Sequence, residues 1–289
     1  MTRRIWRLGM ALGALVVAWS VGGWAAPAAG TVYVSVARSG RPVTGLTARD
    51  FAVLVGGREQ PVISAAPASE PLTLILFVNP PPEDISITRT AFHSLLSLIR
   101  EKNPQARVAI VNSASAPTFY EAGAQGVMLD RQVGALYTDA NSGNVVERLP
   151  ELTSAIEKEP SGHRVILAVT TPGLTHGLQY SPQTAPDLAG THCELWGIQL
   201  APLGSDIIDR DDAYTKLIVA SGGQRATVYG ATLLEGRARD MVSLILSQYL
   251  VTFQPPDVRG TLAIRVGVRG QSPGTEVFAP NWLVTAPRF

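Results

Sequence analysis

"LTLILFVNPPPED", Leu72 to Asp84, decides how the rest of the chain is read. Leu72–Val78 is a near-continuous apolar run without alternation, the mark of a strand buried on both faces, as in a parallel sheet. Three prolines and two acids follow it. Then comes "ISITRTAFHSLLSLIREKNP", where Phe92, Leu95, Leu96 and Ile99 stand at i, i+3, i+4 and i+7. That spacing predicts a helix with one apolar face, ended by Pro104. The stretch is therefore a strand–loop–helix junction, the repeating unit of an α/β sheet.

The same grammar runs onward. "ARVAIVNSA", "HRVILAVTTPG" and "CELWGIQLAP" are further buried strands. "NVVERLPELTSAIEKEPSG" predicts a helix that Pro150 starts or kinks. "DDAYTKLIVASGGQ" predicts a helix stopped by Gly222-Gly223, "RATVYG" a short strand, and "EGRARDMVSLILSQ" a closing helix. Strands alternating with helices imply a doubly wound, mostly parallel sheet over about 70–247.

Outside that span the pattern changes to alternation. "TVYVSV", a strand from about Phe51 to Val55, a Gly56-Gly57 hairpin turn and a strand near Pro61–Ser64 make 31–68 all-β. "YLVTFQPP", "GTLAIRVGVRG" and "TEVFAPNWLV" make 248–289 all-β as well. Neither part has enough strands to bury a sheet alone. The expectation is one β-sandwich built from both ends, with the α/β unit inserted in it.

Residues 1–28 read as a secretory signal peptide. Arg3, Arg4 and Arg7 precede an apolar run from about Leu8 to Trp24, and Ala26-Pro27-Ala28 fits a cleavage signal. The alternative is an uncleaved membrane anchor. The expected location is therefore exported, periplasmic or secreted, with no membrane span after cleavage. Of the chain's 24 basic residues, loss of those three leaves 21 against 23 acidic ones. Such a balance gives no electrostatic case for nucleic acid. Cys193 is the single cysteine, so no intrachain disulfide forms, and a buried small hydrophobe is its expected role.

Three passages resemble von Willebrand factor A-like proteins of the exported acidobacterial type. "VARSGRPVTGLTARDFAVLVGGREQPV" is similar to their N-terminal module. "LTLILFV" and "RVILAVTTPG" are similar to the first and fourth strands of the A domain, and "LIVASGGQRATVYG" with "LSQYLVTFQPP" to its end and exit. The resemblance implies a metal-ion-dependent adhesion site at the first strand's end, with a D-x-S-x-S loop, a Thr and an Asp holding Mg²⁺, Mn²⁺ or Ca²⁺. Aligned on the strand end, Asn79 takes the Asp position, Pro81 the first Ser and Glu83 the second. Pro172 takes the later Asp position beside Thr171, and Thr138 is the one candidate for the remaining Thr. Proline has no side-chain oxygen. The resemblance therefore implies a degenerate site, with no metal and no cofactor.

What remains is a stiff rim, because the prolines fix φ near −65°. It reads either as a preformed protein-binding surface or as a rigid connector. Glu83 and Asp84 complement the following helix N-terminus, or with Asn79 they rebuild a metal site. Among His93, His163, His176 and His192 no pair has metal-ligand spacing. His176 lies beyond the end of a buried strand, where open α/β sheets place ligands. The acids of "DIIDRDD", Asp206 to Asp212, lack EF-hand spacing. No G-x-S-x-G, P-loop or G-x-G-x-x-G is present.

The expected function is non-enzymatic protein interaction of an adhesion or scaffold type. Its binding residues are Asn79, Pro81, Glu83, Asp84, Thr171 and His176, toward a protein partner the sequence does not name. The alternative is an exported hydrolase with a site in the same crevice, which requires a nucleophile–base pair there.

Overall fold

The computed structural model describes residues 29–79, 82–112, 114–137, 145–160, 162–171, 184–201 and 213–285. The signal segment, Pro81, Thr138, Pro172, His176 and the 206–212 acids lie outside the described residues.

The chain opens with β1 (Gly30–Arg38), β2 (Arg41–Pro42), β3 (Phe51–Val55), β4 (Arg58–Gln60) and β5 (Val62–Pro67). Gly56 and Gly57 both take positive φ, 58° and 78°, and close the β3–β4 hairpin with Val55 opposite Arg58. A two-residue turn with both central residues at φ > 0 suits glycine, as the sequence implied.

The α/β unit follows. It comprises β6 (Leu72–Asn79), α1 (Ile85–Lys102), β7 (Arg107–Val111), β8 (Tyr120–Glu121), α2 (Gly126–Gly134), α3 (Val145–Ile156) and β9 (His163–Thr170). It continues with α4 (Thr184–Gly190), β10 (Cys193–Ala201), α5 (Ala213–Ser221), β11 (Arg225–Tyr229) and α6 (Leu234–Leu246). The six strands lie in the order β11-β10-β9-β6-β7-β8. All pairs are parallel except β7–β8. Numbered within the unit this is 3-2-1-4-5-6, the doubly wound order. Pro150 lies inside α3, five residues after its start.

The apolar run of β6 is explained by its place at the sheet centre. Every residue from Leu72 to Asn79 is buried. Leu74, Leu76 and Val78 face one core with Phe92, Leu95, Leu96 and Ile99 of α1 and Met241, Val242 and Ile245 of α6. Ile75 and Phe77 face another core with Leu149, Leu152 and Ile156 of α3 and Tyr214, Leu217 and Ile218 of α5.

The chain closes with β12 (Tyr249–Phe253), β13 (Gly260–Val268), β14 (Thr275–Phe278) and β15 (Trp282–Thr285). These pair with the opening strands rather than among themselves alone. One sheet runs β14-β1-β12-β5 and another β15-β13-β3-β4. Val32, Val34 and Val36 of β1, Phe51, Val53 and Val55 of β3, Val251 and Phe253 of β12, and Ile264 and Val266 of β13 share a third core. The other face of β1 meets the α/β unit. Tyr33 stacks on His163 with ring centroids 4.3 Å apart, Ser35 Oγ donates to Leu244 O at 3.4 Å, and Ala37 joins the α1/α6 core.

Candidate functional site

The carboxyl ends of β6, β7 and β9 form one rim. Asn79 lies opposite Thr170 in the β6–β9 register, and the Thr171 hydroxyl donates to the Asn79 carbonyl at 3.1 Å. Two of the predicted site residues are thus brought together by parallel pairing. The Asn79 side chain is buried at 4% exposure. Beside it, Asn112 organises the turn after β7. Its Oδ1 accepts the N–H of Ala114 (3.0 Å) and of Ser115 (2.9 Å), and its own N–H donates to Ser115 Oγ at 3.0 Å. An Asn that bonds the backbone two and three residues on mimics a backbone turn and fixes it. Arg148 of α3 then donates to Ser115 O at 2.9 Å.

Glu83 is exposed, and Asp84 is the N-cap residue of α1. The Asp84 side chain makes no capping hydrogen bond; its backbone carbonyl accepts the Thr88 hydroxyl at 2.9 Å. Burial, and then the adjacent Glu83 charge, raise the Asp84 carboxyl above its ordinary range. The two acids therefore present negative charge at the helix start, where the N-terminal dipole complements it.

The two aligned prolines supply no side-chain oxygen, and Asn79 supplies a neutral amide from a buried position. Thr170 and Thr171 bring hydroxyls, of which Thr171's is spent on Asn79 O. Among the described residues no group of three or more His, Cys, Asp or Glu side chains is disposed to hold a metal ion.

A second polar constellation was not anticipated. It lies at the opposite, amino-terminal ends of β9 and β10, against β1. Glu194 is buried at 4% exposure. Its Oε2 accepts Trp196 Nε1–H at 2.9 Å and Gln248 Nε2–H at 2.7 Å. The Gln248 Oε1 lies 2.5 Å from His163 Nε2. An amide oxygen only accepts, so with this amide orientation His163 carries its proton on Nε2. Tyr33 covers the imidazole and donates its hydroxyl to Glu70 Oε2 at 2.8 Å. Burial pushes the Glu194 carboxyl up to about 8, against the two hydrogen bonds that lower it. Burial pulls His163 down to about 4. The acid is thus protonated and the imidazole neutral at pH 7, which is the inexpensive arrangement for two buried ionisable groups. Cys193, next in the strand, is buried and its thiol is raised by burial, in keeping with a packing role.

Of the other described histidines, His192 lies beside Cys193 and Glu194 on the wall of one cavity and His93 lies on α1. His93 on α1 is exposed and lies 3.3 Å from Asp130, and His192 precedes β10 with a positive φ of 51°. The signal for the missed cluster was a single letter, the Glu inside "HCELWGIQL". An acid in an otherwise buried run demands a partner.

No protein-family model matches the chain. No curated protein sequence matches it either. Solved structures are similar to it only distantly. The PilB minor pilin from Streptococcus sanguinis is 9% identical over 62% of this chain and 63% of the pilin, with a TM-score of 0.41. BatB from Bacteroides thetaiotaomicron is 11% identical over 60% of this chain and 98% of BatB, TM-score 0.40. The manganese-loaded TRAP protein of Plasmodium vivax is 12% identical over 74% of this chain and 95% of TRAP, TM-score 0.42. The chain thus spans less than two thirds of the pilin. Similarity at this level decides neither family nor function.

Proposed function

We propose that this chain is an exported, non-enzymatic protein-interaction protein of the von Willebrand factor A-like, acidobacterial type, an α/β unit inserted in a β-sandwich built from both chain ends. It binds through the loops at the carboxyl ends of the parallel strands, without a functional metal site. The observation that carries the reading is the bracing of that rim from beneath. The Asn112 turn, the Arg148 bond to Ser115 O and the Thr171 bond to Asn79 O hold the loop bases in place. Loop bases already held in place lose little entropy on binding a macromolecule. Strand order supports the fold reading, since the 3-2-1-4-5-6 arrangement places ligands at this end of the sheet.

The partner surface is expected to carry basic groups opposite Glu83 and Asp84. The test is in-cell photocrosslinking from position 83, followed by affinity measurement with the captured partner. Glu83→Lys with Asp84→Lys is expected to weaken binding at least tenfold while the protein stays folded by circular dichroism, with a melting temperature lowered by no more than the lost helix-dipole complement of ~1–2 kcal/mol. Binding is expected to survive EDTA. Affinity that is indifferent to the charge reversal, or lost on chelation, would remove the rim reading.

A further inference from the structure

Between the amino-terminal edge of the α/β sheet and the strands β1 and β15 lies a small, partly open cavity of about 20 Å³. Val32, Tyr33, Leu188, Cys193, Glu194 and Ser221 are among the residues that line it. Most of that wall is apolar. Of the polar groups, Thr31 and the exposed His192 also line it, and the Ser221 hydroxyl is engaged on both sides, accepting Leu195 N–H at 2.9 Å and donating to Ile218 O at 2.9 Å. The Tyr33 hydroxyl is turned to Glu70. Glu194 is different. Its Oε2 is saturated by two N–H donors from Trp196 and Gln248, neither of which lines the cavity. Its Oε1 is buried with no hydrogen-bond partner in the protein.

We propose that this cavity is a hydration site, in which one water molecule is held by Glu194 Oε1 as a permanent part of the seam between the sheet and β1. Three physical points lead there. A carboxyl oxygen left without a partner in a protein interior is strongly disfavoured. The volume exceeds the roughly 10–15 Å³ that one water needs, and falls short of two. Oε2 has both lone pairs in use, so a proton on this carboxyl resides on Oε1. The water then accepts the Oε1 proton, and its own hydrogens turn to acceptors of the lining residues, Thr31 among them.

The site is tested on the whole protein in two ways. A crystal structure at a resolution that places waters is expected to show one water within hydrogen-bond distance of Oε1; clear density for an empty cavity overturns the proposal. In solution, ¹⁷O relaxation dispersion counts long-lived internal waters. Glu194→Met, of similar length but without an acceptor, is expected to hold one fewer than the wild type. Glu194→Gln, which keeps a polar atom at the cavity, is expected to hold the same number as the wild type. An equal count in all three proteins overturns the proposal even if the Met variant is destabilised, because the Gln variant and the wild type fix the reference.

Discussion

Raising the pH from 6.5 to 8 should weaken this protein through one residue, Glu194. In the unfolded chain that carboxyl loses its proton near 4.5, whereas in the folded protein burial holds the proton to about 8. Between those values the folded state binds one more proton than the unfolded state. Stability is then fully present below 4.5 and falls by ~1.4 kcal/mol per pH unit until about 8. His163 has the opposite sign. Burial lowers it from 6.5 to about 4, so the unfolded state binds the extra proton in that window and stability rises with pH across it. From about 4.5 to 6.5 the two slopes cancel. Above 6.5 only the Glu194 slope remains, and it removes ~2 kcal/mol by pH 8. The assay is denaturant unfolding, followed by far-UV circular dichroism, at closely spaced pH values from 4 to 9. Glu194→Gln keeps an oxygen for Trp196 and Gln248 but cannot ionise. Its curve should be flat from 6.5 to 8, and should expose the rising His163 limb, worth ~3 kcal/mol, that the wild type conceals. Parallel curves for the two proteins between 6.5 and 8 would refute the reasoning.

Gly223→Ala should destabilise the fold by ~2–3 kcal/mol, because a Cβ there would lie 1.9 Å from the Leu195 carbonyl oxygen; a melting temperature equal to the wild type's would contradict it. Tyr249→Phe should cost ~1–2 kcal/mol, since the buried hydroxyl accepts Leu46 N–H at 3.1 Å and donates to Val43 O at 3.0 Å; denaturation midpoints measure this, and a neutral result would mean that water replaces the hydroxyl. Calorimetry with Mg²⁺, Mn²⁺ and Ca²⁺ should give no binding at millimolar concentration, and heats that Glu83→Ala abolishes would mean that Glu83 and Asp84 rebuild a metal site. Edman sequencing of exported protein should begin close to Ala29, and an intact Met1 in the membrane fraction would show an anchor instead.

Elements dominated by local signals were legible in the sequence. The β6 run, the apolar face of α1 and the Gly56-Gly57 turn each rest on residues within a few positions of one another, and all three stand in the fold. The two-residue β8 and the helix α2 fall in a stretch whose pattern is too short and too mixed to show a period. The short helix α4 gave no signal either. At the rim, parallel register could be inferred, and it does bring Asn79 beside Thr170 and Thr171. The organising role of Asn112 could not, because nothing in "VNSASAP" distinguishes a turn-forming Asn from an exposed one. The Glu194 cluster was hidden by distance along the chain. Gln248 lies 54 residues from Glu194 and 85 from His163, and no periodicity connects residues so far apart.

That cluster also bears on how the terminal strands find their place. Alternate residues of β1 serve different cores: Val32, Val34 and Val36 pack with Phe51 and Val53, while Tyr33, Ser35 and Ala37 face the α/β unit. A slip of one residue would drive the Tyr33 hydroxyl into the apolar core and leave a valine against His163, so each register error is penalised on both faces. A purely apolar seam would match the stability of this polar one, since buried polar groups gain little over well-packed hydrocarbon. It would lack the directional bonds from Trp196 and Gln248 to Glu194, and from His163 to Gln248, that admit a single arrangement of β9, β10 and the turn after α6. The amino-terminal end of the sheet is thereby committed to docking the terminal strands, with its polar side chains turned on one another. The carboxyl-terminal end has its polar side chains spent on shaping loops, as Asn112 and Thr171 are, and leaves Glu83 exposed to solvent. Under the proposed function, recognition falls to that second end, because the terminal strands pack against the first.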